Sequence, residues 1–178
     1  MDVILDEARK RNMKVWILDD SHFPTGYANG VLKNADGKLR RQSLTVRSLD
    51  CLKSGTEMEF SLESYQKAAP WELNQMEQHM LQGQEWKLFD DDQLISVTAV
   101  REGGKTEADI LDLSGQIPSG KIVFPVPEGK WQLKFCILTR NRGPHRDYIN
   151  MMDEESCRVL IDTVYEPHYQ HYAADFGT

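Results

Sequence analysis

The sequence predicts a mostly β protein of the α+β class, in which an antiparallel β-sandwich or barrel lies between two short α/β segments. Residues 1–19 show a helical pattern followed at once by a strand pattern. Residues 39–140 then show a succession of short strand patterns, and residues 153–176 return to a helical one. A chain of 178 residues, 40% hydrophobic and 28% charged, suffices for one ordinary domain, or for one domain and pieces of another.

The N-terminal segment predicts one helix and one strand. Asp2 to Arg11 has apolar residues at helical spacing and basic residues at its C-terminal end, where the helix dipole favours them, and Asn12 can end the helix. The apolar run Lys14–Asp19 predicts a strand that is covered on both faces, as in a parallel sheet. A single strand cannot form a sheet by itself. The predicted strand therefore either joins the central β block or pairs with strands of a longer protein, of which this chain is a part.

The central block predicts antiparallel strands with one buried face, because apolar and polar residues alternate. Residues 93–104 and 106–115 predict two strands around a Gly103–Gly104 turn, and residues 121–139 predict a further pair joined through Pro127–Gly129. Residues 69–84 interrupt this block with a helical pattern, to which a long surface loop is the alternative. The inward positions predicted from the alternation are Met58, Phe60 and Leu62 in one strand, and Leu39, Leu44, Val46 and Leu49 in another.

The C-terminal segment predicts a helix that begins after Asp153, with acidic residues in its first turn. Val159, Leu160, Val164 and Tyr165 form its predicted apolar face, and Pro167 is expected to kink or divide it.

Composition excludes several classes of function. The formal net charge of −7 argues against non-specific binding to nucleic acid or to anionic membranes. The sequence contains no apolar run of about 18 residues, so we expect no membrane span. The three cysteines are far apart and form no CxxC pair, which argues against a disulfide framework or a cysteine metal site. Motifs for phosphate binding, dinucleotide binding and a serine nucleophile are also lacking.

A polar turn directly follows the apolar run. The predicted strand ends at Asp19, Asp20 and His22 follow it, and a loop with Gly26 and Gly30 comes next. Carboxylates at such a place can accept hydrogen bonds from sugar hydroxyls, bind a hard cation such as Ca²⁺, or act as acid and base. The same residues also suit a solvated turn with an aspartate cap.

The stretch ARKRNMKVWILDDSHFPTGYANG, residues 8–30, resembles a segment of bacterial glycoside hydrolases with a TIM-barrel catalytic domain, the α-L-rhamnosidase-like and β-galactosidase-like relatives. Those proteins have a strand ending in tyrosine-aspartate-glutamate, then tryptophan-proline-serine-glycine. This chain has Asp20 in place of the glutamate and Phe23 in place of the tryptophan. The hairpin at Pro127, Gly129 and Trp131 is similar to one in the family's inserted β domain, and residues 147–178 look like the return into the barrel.

The resemblance implies three parts. Residues 1–38 would be a barrel helix, strand and βα loop, residues 39–140 an inserted antiparallel β domain, and residues 141–178 the helical return to the barrel. The parent would be a bacterial enzyme that cleaves glycosidic bonds in poly- or oligosaccharides, located in the cytoplasm or secreted according to its N-terminus. The chain is expected to end before the next barrel strand and to be inactive alone. A non-catalytic β module, carbohydrate-binding or structural, is the alternative.

The predicted substrate-binding residues are Asp19, Asp20, His22, His145 and Tyr148, and the catalytic residues are not assigned. Barrel strands carry active-site residues at their C-terminal ends. A glycosidase needs two carboxyl groups on opposite sides of the scissile bond, whereas neighbours in a strand point to opposite faces, so Asp19 and Asp20 are not the catalytic pair.

The remaining candidates are weaker. We expect no resident metal or cofactor, although Ca²⁺ would suit the parent, and the HxxH pair His168 and His171 predicts a polar helix face. Trp71 and Trp86 are candidate sugar platforms, whereas Trp131 is predicted to be in the core. Apolar surface left by missing barrel strands is compatible with a homodimer.

Overall fold

The computed structural model describes residues 1–18, 25–51, 54–70, 72, 74–80, 88–143 and 147–177. In chain order its main elements are α1 (Asp2–Lys10), β1 (Ser43–Cys51), β2 (Glu57–Ser61), α2 (Gln75–Met80), β3 (Gln93–Arg101), β4 (Ile110–Asp112), β5 (Lys121–Pro125), β6 (Trp131–Thr139), α3 (Glu154–Leu160), a π-helical turn (Ile161–Tyr165) and α4 (Glu166–Tyr172).

The chain divides into two compact units. Residues 1–41 and 147–178 form unit 1, and residues 42–146 form unit 2, so that unit 2 is one continuous insertion in the chain of unit 1. The predicted α+β class with antiparallel sheets is confirmed. Within the described ranges, neither sheet closes into a barrel.

Helix α1 opens unit 1 as predicted. Asp2 lies in its first turn and Arg9 and Lys10 in its last, so that the charges complement the helix dipole. Asn12 adopts a left-handed φ of 52°, and the Met13 amide then donates back to the Ala8 carbonyl at 2.9 Å. Asn12 therefore ends the helix, since asparagine tolerates this conformation better than most residues.

The predicted strand Lys14–Asp19 is not formed by the residues that the structure describes. Lys14–Leu18 belongs to neither sheet, and Asp19 lies outside the described residues. Trp16 is 91% exposed and Leu18 is 87% exposed. The prediction of burial on both faces was wrong, because hydrophobic sequence alone does not supply the neighbouring strands that would cover it.

The C-terminal helix is confirmed, and it contains a defect. The Asp153 carboxylate caps α3 by accepting from the Ser156 amide at 2.8 Å. The π turn then bonds the Glu166 amide to the Ile161 carbonyl, five residues back. Pro167 lies in the first turn of α4, where its missing N–H is tolerated. The proline thus divides the helix through the π turn, as predicted.

Unit 1 has a small hydrophobic core. The short 3₁₀ segments within residues 28–39 pack against the C-terminal helix, and the buried apolar residues of this core are Ala28, Leu32, Leu39, Ile149, Leu160 and Val164.

Unit 2 contains two antiparallel sheets that share one core. The larger sheet has the order β1-β6-β3-β4 and the smaller one pairs β2 with β5. Strand β6 alternates strictly between buried and half-buried positions, and it places Leu133, Phe135 and Ile137 inward. The Phe135 ring stacks on Tyr65 at 4.1 Å between ring centroids and meets Phe60 edge-on at 6.0 Å. Aromatic packing of this kind between two sheets is typical of a sandwich core.

The alternation of β2 and the burial of Trp131 are as predicted. Met58 and Phe60 pack against the core, Leu62 is fully buried just beyond the strand, and Trp131 is 6% exposed. Strands β3 and β4 also pair as an antiparallel hairpin around the Gly103–Gly104 turn. These predictions hold because a strand with one buried face imposes a period of two on its sequence.

Two of the predicted inward positions in β1 are wrong. Leu44 is 67% exposed and Val46 is 56% exposed, whereas Leu49 packs against the core. The register of β1 on β6 turns odd-numbered positions inward, including Arg47. The Arg47 guanidinium lies 4.9 Å from the Tyr65 ring centroid and bonds to the Ser64 carbonyl. A cation–π contact therefore takes the place of an aliphatic one.

Strands β5 and β6 exist but do not form the predicted pair. Strand β5 pairs with β2, and β6 pairs with β1 and β3. The Pro127–Gly129 turn therefore carries the chain from one sheet to the other. Ser54 stabilises this turn with two hydrogen bonds. Its hydroxyl accepts one from the Gly129 amide at 3.2 Å and donates one to the Pro127 carbonyl at 3.3 Å.

Helix α2 confirms part of the helix predicted for residues 69–84. It covers Gln75–Met80, and residues 81–87 lie outside the described residues.

Candidate functional site

The candidate site in unit 1 is built around Tyr148, which is buried. Its segment runs antiparallel beside residues 39–41: the Arg41 amide donates to the Tyr148 carbonyl at 2.8 Å, and the Asn150 amide donates to the Leu39 carbonyl at 3.1 Å. These backbone hydrogen bonds join the two segments of unit 1 that flank unit 2 in sequence.

The loop that follows Asp19–His22 in sequence returns to this same place. The Ile149 amide donates to the Gly26 carbonyl at 2.8 Å, and the Tyr27 and Tyr148 rings lie 5.9 Å apart between centroids. Gly26 has a φ of 127°, and an added Cβ would lie 3.2 Å from the Tyr148 ring. Glycine is therefore required here both by conformation and by space.

The next residues of this loop have unusual backbone conformations. Ala28, Asn29 and Gly30 all have positive φ, at 50°, 51° and 81°. An added Cβ at Gly30 would meet the Tyr27 hydroxyl oxygen at 2.8 Å. Alanine in the left-handed region is strained, and such strain is concentrated at functional loops held by their surroundings.

A buried charge lies beside Tyr148. The Arg40 side chain is 3% exposed, its guanidinium bonds to the Asp147 carboxylate, and a second nitrogen donates to the Lys33 carbonyl at 3.1 Å. Asp147 is partly exposed. Because a buried guanidinium needs a compensating anion, this pair fixes Asp147 next to Tyr148.

Of the five predicted substrate-binding residues, the structure describes Tyr148. Asp19, Asp20, His22 and His145 lie outside the described residues. The described flanks of both candidate loops, at Gly26 and at Asp147–Ile149, are in direct contact.

Unit 1 also has a cleft of about 520 Å³ between α1, residues 13–17 and the C-terminal helix. Its lining includes the aromatic residues Trp16, Tyr165, Tyr172 and Phe176. The Arg9 guanidinium bonds to the Asp175 carboxylate across this cleft. A volume of this size with a mostly apolar lining and a few polar groups is typical of small-molecule sites.

The charged and phenolic groups of the cleft have shifted pKa values. Asp175 is the one carboxylate among its described lining residues, and its bond to Arg9 raises the pKa of the guanidinium, which stays charged. Burial, followed by the hydrogen bond to Asp2, raises the pKa of the Tyr172 phenol, which therefore stays neutral. A glycosidase needs two opposed carboxyl groups, and the described lining of the cleft supplies one of them.

The two histidines of the HxxH pair do not converge. The His168 Nδ1 lies 2.7 Å from the Val164 carbonyl, whereas the His171 Nε2 faces Asp2 at 3.8 Å. Within the described part of the chain, no group of three or more histidine, cysteine, aspartate or glutamate side chains is arranged to hold a metal ion. The helices that the structure describes are all too short or too polar to cross a membrane.

Comparison of the chain with protein-family models, curated proteins and solved structures finds no match.

Sequence reasoning missed Arg40, Tyr27 and the cleft. Arg40 lies between Leu39 and Arg41 in sequence, and nothing in this stretch indicates that Arg40 is buried. The pairing of Arg40 with Asp147 joins positions more than a hundred residues apart, so no local pattern could reveal it.

Proposed function

We propose that this chain is part of a glycoside hydrolase, and that it contributes one helix, one strand and a βα loop of a TIM barrel together with an inserted β domain. The exposure of Lys14–Leu18 carries the proposal. Four consecutive apolar residues, two of them almost fully exposed, suit a strand that is buried only when the other strands of a barrel are present.

The division of the chain supports this proposal. A continuous, mainly β unit interrupts a discontinuous unit whose regular elements, among the described residues, are helices, as an inserted domain would. The two segments of unit 1 that flank the insertion lie side by side at Arg40 and Ile149. Unit 1 is therefore continuous in space although unit 2 interrupts it in sequence.

The candidate loops support a sugar site at one place in the parent. The loop after Asp19 and Asp20 and the return loop with Tyr148 meet at Gly26. One aspartate of the pair would contact sugar hydroxyls or the reacting centre, and its partner carboxylate would come from another barrel strand. The 178-residue chain alone would then bind sugar weakly and hydrolyse nothing.

The test uses a panel of aryl glycosides with the 178-residue chain and with the natural protein that contains it. We expect no turnover by the chain. In the natural protein we expect Asp20→Asn or Asp19→Asn to lower kcat/KM by about tenfold or more, because a charged hydrogen bond to substrate contributes about 1.5–3 kcal/mol. Asp90→Asn, on the surface of unit 2, is the control and should leave kcat/KM unchanged. Turnover by the chain alone would contradict the proposal, as would full activity in both aspartate variants.

The self-contained core of unit 2 favours one second candidate, a non-catalytic β module that binds carbohydrate or has a structural role. Calorimetric titration with oligosaccharides distinguishes the two. Saturable binding lost in Trp86→Ala or Trp71→Ala but kept in Trp16→Ala would support a carbohydrate-binding module. Titration without binding would leave unit 2 a structural role.

A further inference from the structure

We infer that Lys14–Leu18 pairs with the same segment of a second copy of this chain, as two antiparallel strands. The first observation is its unused backbone. Among the described residues, Lys14–Leu18 forms no backbone hydrogen bond, whereas the Met13 amide just before it donates to the Ala8 carbonyl at 2.9 Å. Unpaired N–H and C=O groups beside apolar side chains are a template for strand addition.

The exposure of the side chains alternates along this segment. Val15 is half-buried and Ile17 is 39% exposed, whereas Trp16 and Leu18 are almost fully exposed. This alternation has the period of two that a β-strand requires. Lys14, Val15, Trp16 and Ile17 also line the cleft of unit 1, so the segment already has a defined position in the monomer.

The order of charges selects a second copy running in the opposite direction. In sequence, Lys14 precedes the apolar run, and Asp19 and Asp20 follow it. Two antiparallel copies bring the basic start of each segment to the acidic end of the other, whereas parallel copies would bring like charges together. The segment is thus complementary to itself.

The apolar residues fix the register. Pairing centred on Ile17 sets Trp16 opposite Leu18 of the second copy, and this contact occurs twice because of the two-fold symmetry. The most exposed apolar residues of the segment then cover one another. Pairs that are directly opposite in antiparallel strands contribute most to pairing, and aromatic–aliphatic pairs are among the favourable ones.

Sedimentation velocity of the 178-residue chain over a concentration series measures the association. We expect a monomer–dimer equilibrium whose dissociation constant rises by about tenfold or more in Trp16→Glu, since a buried aromatic anchor dominates small interfaces. Leu44→Glu, at an exposed apolar residue of β1, is the matched control and should leave the constant unchanged. Both side chains are exposed, so circular dichroism should show that both variants fold. Lys14→Glu should also weaken the dimer.

Cross-linking tests the register. In a background with Cys51, Cys136 and Cys157 changed to serine, a mixture of Trp16→Cys and Leu18→Cys chains should form disulfide-linked heterodimers faster than either chain alone, because opposed Cα atoms about 4.5–5.5 Å apart suit a disulfide. A chain that stays monomeric throughout, or a dimer unaffected by Trp16→Glu or weakened equally by Leu44→Glu, would overturn the inference. If the chain is monomeric, the segment would be expected to pack against another protein or against the rest of a longer protein.

Discussion

Unit 1 and unit 2 differ in the exposure of their aromatic side chains. Unit 2 encloses Phe124, Phe135 and Trp131 between two sheets. Unit 1 has a small core of mostly aliphatic residues and leaves Trp16 and Leu18 in contact with water. Unit 2 exposes aliphatic residues such as Leu44 and Val46 but encloses these three aromatic rings, whereas unit 1 exposes a tryptophan and a leucine within one apolar stretch. Surface of this kind is typical of a region that packs against something else.

The largest expected effect comes from truncating one aromatic residue in each unit. Phe135→Ala should lower the free energy of unfolding of unit 2 by about 3–5 kcal/mol, because it empties a fully buried site that contacts two other rings. Trp16→Ala should change the stability of the monomer by less than about 0.5 kcal/mol, since its side chain is exposed. Urea unfolding followed by circular dichroism, at concentrations below any association, checks both values. Equal losses in the two variants would contradict the comparison.

A smaller effect is expected from the buried charge of unit 1. Asp147→Asn should destabilise unit 1 by about 2–3 kcal/mol, because it removes the negative charge that Asp147 places beside the buried Arg40 guanidinium, while the partial exposure of Asp147 limits the loss. Thermal unfolding of the two proteins measures this change. Asp90→Asn, which breaks the exposed Lys67–Asp90 pair, is the control and should leave the midpoint unchanged. A similar midpoint shift in both variants would show that burial of Arg40 has no special role.

The smallest effect concerns pH and the β3–β4 turn of unit 2. The Thr106 hydroxyl, then the Thr106 and Lys105 amides, donate to the Asp109 carboxylate and lower its pKa below the ordinary value. This carboxylate therefore stabilises the turn above the pKa that it has in the unfolded chain, and the contribution is lost as pH falls through the lower folded value. An NMR titration of the Asp109 carboxyl carbon should show a midpoint below that of an unstructured peptide. A midpoint at or above the peptide value would contradict the turn geometry.

The predictions that succeeded depend on local patterns. The helix before Asn12, the alternation of Met58 and Phe60, and the division of the C-terminal helix near Pro167 each follow from residues close together in sequence. The predictions that failed needed a partner elsewhere. The pairing of β5, the outward direction of Leu44 and the exposure of Trp16 depend on which strand lies alongside.

The candidate site shows the same limit. Its sequence signal was a set of polar residues after an apolar run, and of the residues named, Tyr148 is the one that the structure describes. The contact between Gly26 and Tyr148, and the bond from Arg40 to Asp147, join segments separated by the whole of unit 2. Neither could be inferred from spacing, because an insertion of any length leaves the same local pattern on each side.

The sequence by itself determined where the N- and C-terminal helices and the antiparallel strands of unit 2 form, because the periods of 3.6 and 2 and the residues that end a helix act within a few positions. Only the tertiary structure decided which sheet each strand joins, which face of β1 meets water, and that the loops at Gly26 and Tyr148 meet. Those outcomes follow from the burial of surface between distant segments, and that free energy is shared among many residues that no short stretch of sequence contains.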